Sequence, residues 1–256
     1  MRWLTLIFTL IPFSLSLGGI IFFQEKQLQA KIETTSQTRK AEEEAERLFL
    51  NIQANVPSFG LENLRADWNY LQFIQYFGDT PARELTGYSL IPDFFKVIVK
   101  DDPRFVRAML FLSTANSIYA ASPGITVKLL DQALQKISPE IDPLTPYLWS
   151  YKGIDEMLFL GDIKASQKSY EMAAQWALKS KNQDRQLIAQ RNLEIAAFLA
   201  QNPDSRKARV GAWMYILRGA INKETQRLAI REIKALGGKV SINSEGLWQV
   251  DFPEKD

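Results

Sequence analysis

The chain has 256 residues, 46% of them hydrophobic, with 31 Lys+Arg against 29 Asp+Glu, and it contains neither cysteine nor histidine. That composition excludes disulfides, thiolate nucleophiles, Cys-rich metal sites and any serine–histidine–acid triad. Carboxylate, Lys, Ser or Tyr chemistry stays open, as does oxygen ligation of a hard cation. The net charge of +2 hides a strong polarity along the chain. Residues 57–178 hold 11 Lys+Arg against 14 Asp+Glu, whereas 179–239 hold 13 against 5.

In chain order, residues 3–23 form an uncharged run of 21 residues, about 31 Å as a helix and so matched to a bilayer core. We expect an uncleaved transmembrane anchor over 1–23; a signal peptide with a site near Ser16-Leu17-Gly18 is the competing reading, disfavoured because the apolar run continues to Phe23. Arg2 before the run, set against Lys26 and Lys31 after it, leans towards a periplasmic or lumenal domain. Residues 24–56 are polar and free of Gly and Pro until Pro57, and are expected to form a helical stalk.

Residues 57–236 are expected to be a helical body. Leu61 to Phe77 is strongly amphipathic, with Tyr70, Phe73, Ile74 and Phe77 as a broad apolar face and Leu64, Trp68, Leu71 and Gln75 along another side; Asp67 is the polar residue placed nearest a buried face. Thr80-Pro81, Asp102-Pro103, Ser122-Pro123, Thr145-Pro146 and Asn202-Pro203 pair a small polar cap with a proline suited to the first helical turn. Helices are therefore predicted near 90–100, 103–121, 123–137, 146–160, 162–180, 184–200, 203–220 and 223–236, packed antiparallel across short connections. Val240, Ile242, Trp248, Val250 and Phe252 flank Asn243-Ser244-Glu245-Gly246, which reads as a β-hairpin within 237–256.

The best-defined pair is Thr145–Lys179, two helices hinged at Gly161-Asp162. Gly161, Ser166, Tyr170, Ala173 and Ala174 there resemble the tetratricopeptide repeat, and Ala133-Leu134 matches one of the same positions in the preceding unit. Starts at 103, 146 and 184 are 43 and 38 residues apart rather than regular. The chain is also similar to membrane-tethered bacterial and cyanobacterial proteins carrying divergent repeats of this kind. The resemblance implies an all-α array of helix hairpins whose first helices line a protein-binding face, with no catalytic residues and no cofactor. On that basis Asn116, Tyr119, Tyr151, Asp155 and Arg191 are expected at the partner surface, although ordinary packing competes at each.

Two further surfaces stand out. Lys223, Arg227, Arg231 and Lys234 share one helix side, joined by Arg206, Lys207 and Arg209 on the preceding helix. An acidic protein or anionic lipid fits that basic side; nucleic acid does not, because no aromatic residues are interleaved as stacking platforms. Asp155 and Glu156 raise the alternative of a carboxylate-dependent glycan-acting enzyme, but neighbouring residues point to different helix sides. The reading from sequence is thus a membrane-tethered interaction scaffold that binds a protein partner, with no metal site.

Overall fold

A computed structural model describes residues 36–254 and, before them, only Gly18 and Ile20. The predicted anchor and the first part of the stalk lie outside the described residues. None of the described helices is long and apolar enough to cross a membrane. The chain divides into two units after Glu42, and the second begins at Glu43.

Among the described residues there are eleven α-helices: α1 Ser36–Asn55, α2 Glu62–Gly78, α3 Thr80–Thr86, α4 Ile91–Asp101, α5 Val106–Leu112, α6 Pro123–Leu134, α7 Thr145–Asp155, α8 Ile163–Lys179, α9 Arg185–Leu199, α10 Arg206–Gly219 and α11 Lys223–Ala235. Two of them run on as wider π-helical segments, α5 into Ser113–Tyr119 and α7 into Glu156–Leu160. One antiparallel hairpin comes after them, β1 Lys239–Ile242 with β2 Trp248–Asp251, in a register pairing Val240 with Val250 and Ile242 with Trp248.

The main core is aromatic and aliphatic. Leu50 of α1, Phe73 of α2, Phe94, Phe95 and Ile98 of α4, Met109 and Leu112 of α5, Leu130 of α6 and Leu148 of α7 are all buried together. Phe73 packs edge-on against Phe95 at 4.9 Å between centroids, an arrangement that matches ring edge to ring face. Burial of Leu50 and Gln53 draws the later part of α1 into this core, so the expected stalk does not extend to residue 56. Leu48, Phe49 and Ile52 of the same helix are exposed. On α2 the buried polar residue is Asn69, which donates to Gln53 Oε1 at 2.8 Å, while Asp67 is exposed. Asp101 holds Arg65 through two bonds of 2.5 and 2.7 Å.

From α7 onward the packing changes character. Gly161, at φ 72°, ends the π segment in a left-handed turn that glycine enters without steric cost. Asp162 then caps α8 by accepting from Ala165 N–H at 2.9 Å. Thr145 is not the cap predicted for α7; it is buried, and its hydroxyl lies 2.8 Å from both Pro139 O and Asp142 O, sharing its one proton between them. The two helices approach closely at Gly153, where an added Cβ would lie 3.0 Å from the Tyr170 ring and 3.4 Å from Ser169 Cβ. Ser166 closes the contact by donating to Gly153 O at 2.8 Å. Helix α9 covers both, placing Ile188 and Ala189 against Ala174, Ala177 and Tyr147, and Ala196 and Leu199 against Tyr170, Ile154 and Met157.

A regular continuation stops there. Helix α10 turns back onto the two π segments, burying Val210, Trp213, Ile216 and Leu217 with Phe159, Ala121 and the α11 residues Ala229 and Ile233. Val240, Trp248 and Val250 of the hairpin pack on the same cluster. Short α3, which begins at the Thr80-Pro81 signal, and the π segments are the elements the sequence pattern does not anticipate. The remaining helix limits agree with the expected ones within a few residues.

The Gly153 contact predicts a sign reversal between two glycines. Gly153→Ala puts its methyl against the Tyr170 ring and should lower stability by about 1–3 kcal/mol, as overpacking does. Gly211→Ala meets only Phe252 at 3.8 Å, an ordinary contact, and should raise stability by up to about 1 kcal/mol through helix propensity. Urea titrations of the two variants beside the parent chain check both signs.

Candidate functional site

Polar contacts tie α5 to α7 and α7 to α9. Ser113 of the α5 extension donates to Asp155 Oδ2 at 2.9 Å, and Ser150 of α7 donates to Asn192 Oδ1 of α9 at 2.8 Å. Asn192 in turn gives its amide to Ile188 O at 2.7 Å. These bonds set the register of the layer that the sequence expected to face a partner.

The structure places the five expected partner residues in two different settings. Asn116 and Asp155 are 0% and 1% exposed, so neither contributes to a surface. Asn116 bridges its own loop, giving Nδ2 to Ser122 O and Thr126 Oγ1, both at 2.9 Å. The helical period put both residues on the predicted face; Asn116 lies inside a π segment, whose wider turn rotates it inward, whereas Asp155 ends the regular part of α7 and is covered by the α5 extension, where Ser113 bonds it. Tyr119 and Tyr151 are partly exposed at 38% and 37%. Tyr119 stacks edge-on with Phe77 and Tyr88, at 4.9 and 5.2 Å between centroids. Arg191 is exposed on α9.

Asp155 and Glu156 diverge, as adjacent helix positions must. Asp155 faces the α5 extension; Glu156 faces α8, where its two oxygens meet Lys152 Nζ at 2.5 Å and Ser169 Oγ at 2.6 Å. Lys152 also reaches Asp131 at 3.2 Å and Ser169 at 3.2 Å. The i,i+4 spacing of Lys152 and Glu156 was the available sequence signal for this pair; Asp131 and Ser169 come from other helices and gave none. The two carboxyls therefore bracket no common space in which a glycosidic bond would lie. Among the described residues no cluster of three or more Asp, Glu, His or Cys is placed to hold a metal ion.

Burial pushes the Asp155 carboxyl up to about 7, with hydrogen bonds from Ser113 and Ser117 opposing the shift and the nearby Glu156 adding to it. Ser117 has one hydroxyl proton and spends it on Thr126 Oγ1 at 2.8 Å, so donating to an ionised Asp155 means giving that bond up. Tyr170 on α8 is also pushed up to about 12, first by burial and then by Asp155.

The outer side of α9 is open. Arg191, Glu194, Ile195 and Phe198 line a shallow cavity of about 540 Å³ there, and Leu187 continues the same helix side one turn earlier. On the basic side, Lys223, Arg227, Arg231 and Lys234 are exposed, with Arg231 paired to Glu232 at 3.0 Å. Arg206 is exposed and bound to Asp204 at 2.5 Å; Lys207 is half-buried. Arg209 does not belong to that surface: its guanidinium packs over Gly161, at the carbonyl end of the α7 extension where a cation is favoured. Its buried Nε has no hydrogen-bond partner among the described residues.

The raised Asp155 carboxyl fixes a sign. Its neutral form is the folded one, so its contribution is complete below its unfolded value near 4 and is lost as pH rises through about 7. Asp155→Asn should flatten the fall in stability between pH 4 and pH 8, a difference of up to about 4 kcal/mol across the range. Thermal melts of the two chains at stepped pH measure it.

No protein-family model matches the chain, and neither curated proteins nor solved structures give a match.

Proposed function

We propose that this chain is a membrane-tethered interaction scaffold that takes a protein partner on the outer side of α9, with Tyr151 of α7 at its edge. One observation carries the reading. Helix α9 satisfies its inner side against α7 and α8 and leaves Leu187, Ile195 and Phe198 in solvent beside an exposed Arg191. Three large apolar side chains around one cation suit a partner segment that brings an apolar anchor and a carboxylate. A tetratricopeptide-like derivation agrees with the close α7–α8 approach at Gly153 and with the linked first helices. The tether rests on the uncharged run 3–23, and its charge flanks lean the domain to the periplasm or lumen. The buried, divergent Asp155 and Glu156 give the glycan-acting alternative no support.

The expected outcome of crosslinking and affinity capture with the full chain from solubilised membranes is one specific polypeptide. Phe198→Asp and Arg191→Glu should each reduce its recovery at least about tenfold with no change in melting, the scale of a central interface residue. Undiminished recovery with both variants would remove α9 as the binding side.

The row Lys223, Arg227, Arg231 and Lys234 favours a second reading, in which α11 meets an anionic lipid surface. Vesicles containing phosphatidylserine should retain the chain at low salt more strongly than neutral vesicles do, and Arg227→Glu with Lys234→Glu should abolish the difference.

A further inference from the structure

Helices α1 and α2 meet along a seam marked by the Asn69–Gln53 bond and by Arg65, whose guanidinium reaches Val56 O at 3.4 Å. On the solvent side of that seam both helices are apolar. At 100° per residue Phe49, Ile52 and Val56 fall beside Gln53 on α1, and Leu64, Trp68 and Leu71 fall beside Arg65 on α2. These side chains are exposed: Phe49 is 52%, Leu64 63% and Trp68 54% accessible. Along α2 the residues Leu61, Leu64, Trp68 and Leu71 recur at intervals of three, four and three, the spacing with which one helix seats another.

We propose that this surface is the seat of a second copy of the chain, the two copies meeting through the same face. Area is the first argument. With Leu48 and Leu61 included, the side chains expose on the order of 800 Å² at roughly 100 Å² each, the share one partner contributes to a standard interface. A monomer carries apolar patches of only about 300–600 Å². Charge is the second. From Leu48 to Val56 there is no charged residue, and α2 offers only Arg65 and Asp67 between Leu64 and Gly78. Arg65 is held by Asp101, and Asp67 points away from the seam. Asp67 is exposed one turn from both Leu64 and Leu71, so it stands at the outer rim of the face, and a face whose charge is kept at the rim can meet its own copy with little repulsion, which two-fold pairing demands. The rim is made of the amides Asn51, Asn55, Gln72 and Gln75, which bond equally well to themselves. A lipid surface is the less suited occupant, because Lys100, the lysine beside this face, spends its ammonium on Ala54 O and Val56 O at 2.7 and 3.0 Å.

The absence of cysteine makes the test clean. Leu64→Cys and Trp68→Cys each give the full chain, in its membrane or in detergent, a single thiol. A short bis-maleimide should then yield a species of twice the 29.2 kDa chain mass, at least about tenfold more than from Lys128→Cys on exposed α6. Sedimentation of the unmodified chain should give the same doubled mass, and Trp68→Glu should return it to monomer with its melting unchanged. A monomer at all concentrations overturns the proposal, as does a dimer that survives Trp68→Glu. A crosslinked species of any other mass assigns the face to a different protein. An environment-sensitive dye on the thiol of the Leu64→Cys variant that responds to neutral vesicles, without dimer, assigns it to lipid. Either result rejects the second copy.

Discussion

The arrangement of the second half of the molecule depends on a close approach between α7 and α8. Gly153 brings the α7 backbone against the Tyr170 ring, and Ser166 fills the remaining acceptor with a 2.8 Å bond to Gly153 O. Without a side chain at 153 the two helices can share Ala173, Ala174 and Ala177 as a thin, dense contact surface. That thinness lets α9 touch both of them at once. The long polar residues Lys152 and Glu156 then lie buried at the same interface, where mutual pairing, Ser169 and Asp131 make their burial tolerable.

The two π segments explain why the stack does not propagate. Each occurs at the carbonyl end of its helix, and each leads to a tight turn: Ala121 at φ 49° after the first, Gly161 at φ 72° after the second. A non-glycine residue in that region costs about 1 kcal/mol or more, so the first turn holds strain that its surroundings must offset. The offsetting contact is α10. Ala121 lies in the same buried cluster as Phe159, Val210 and Trp213, and Trp213 meets Phe159 edge-on at 5.5 Å. The widened turns thus provide a platform on which α10 sits across two helix ends, and the chain closes instead of adding another hairpin.

Much of this was legible in sequence, and the failures have physical reasons. Helical periodicity located α4, α8, α9 and α11 because their apolar positions keep one period from end to end. It placed Asn116 on the wrong side because it assumes 3.6 residues per turn, and a π segment breaks that assumption without any marker residue; Asp155 precedes its π segment and is buried by the neighbouring α5 extension, which periodicity does not show. The proline rule found the starts of α3, α6 and α7, whereas α5 and α10 begin three residues after Pro103 and Pro203, and it did not find the caps. Among the described residues the side-chain caps are Asp162 and Asn222, neither directly before a proline, while Thr145 went inside. Arg209 was grouped with surface cations because its charge was visible and its partner, the bare backbone at Gly161, was not.

Those same failures separate the surfaces by what each must face. A polar residue that the fold needs is buried and doubly bonded, as Asn192 and Asn69 are. A large apolar residue that the fold needs lies in one of the cores, as Phe73 and Trp213 do. Phe198, Ile195 and Leu187 on α9, and Leu64, Trp68 and Leu71 on α2, meet neither condition. Their two settings differ in one respect that decides the kind of occupant. The α9 side carries Arg191 and Glu194 among its apolar residues, so it discriminates by charge and suits a distinct partner. The α1–α2 side keeps its charge, Asp67, at the rim and discriminates mainly by shape, a property that a surface meeting its own copy satisfies by symmetry.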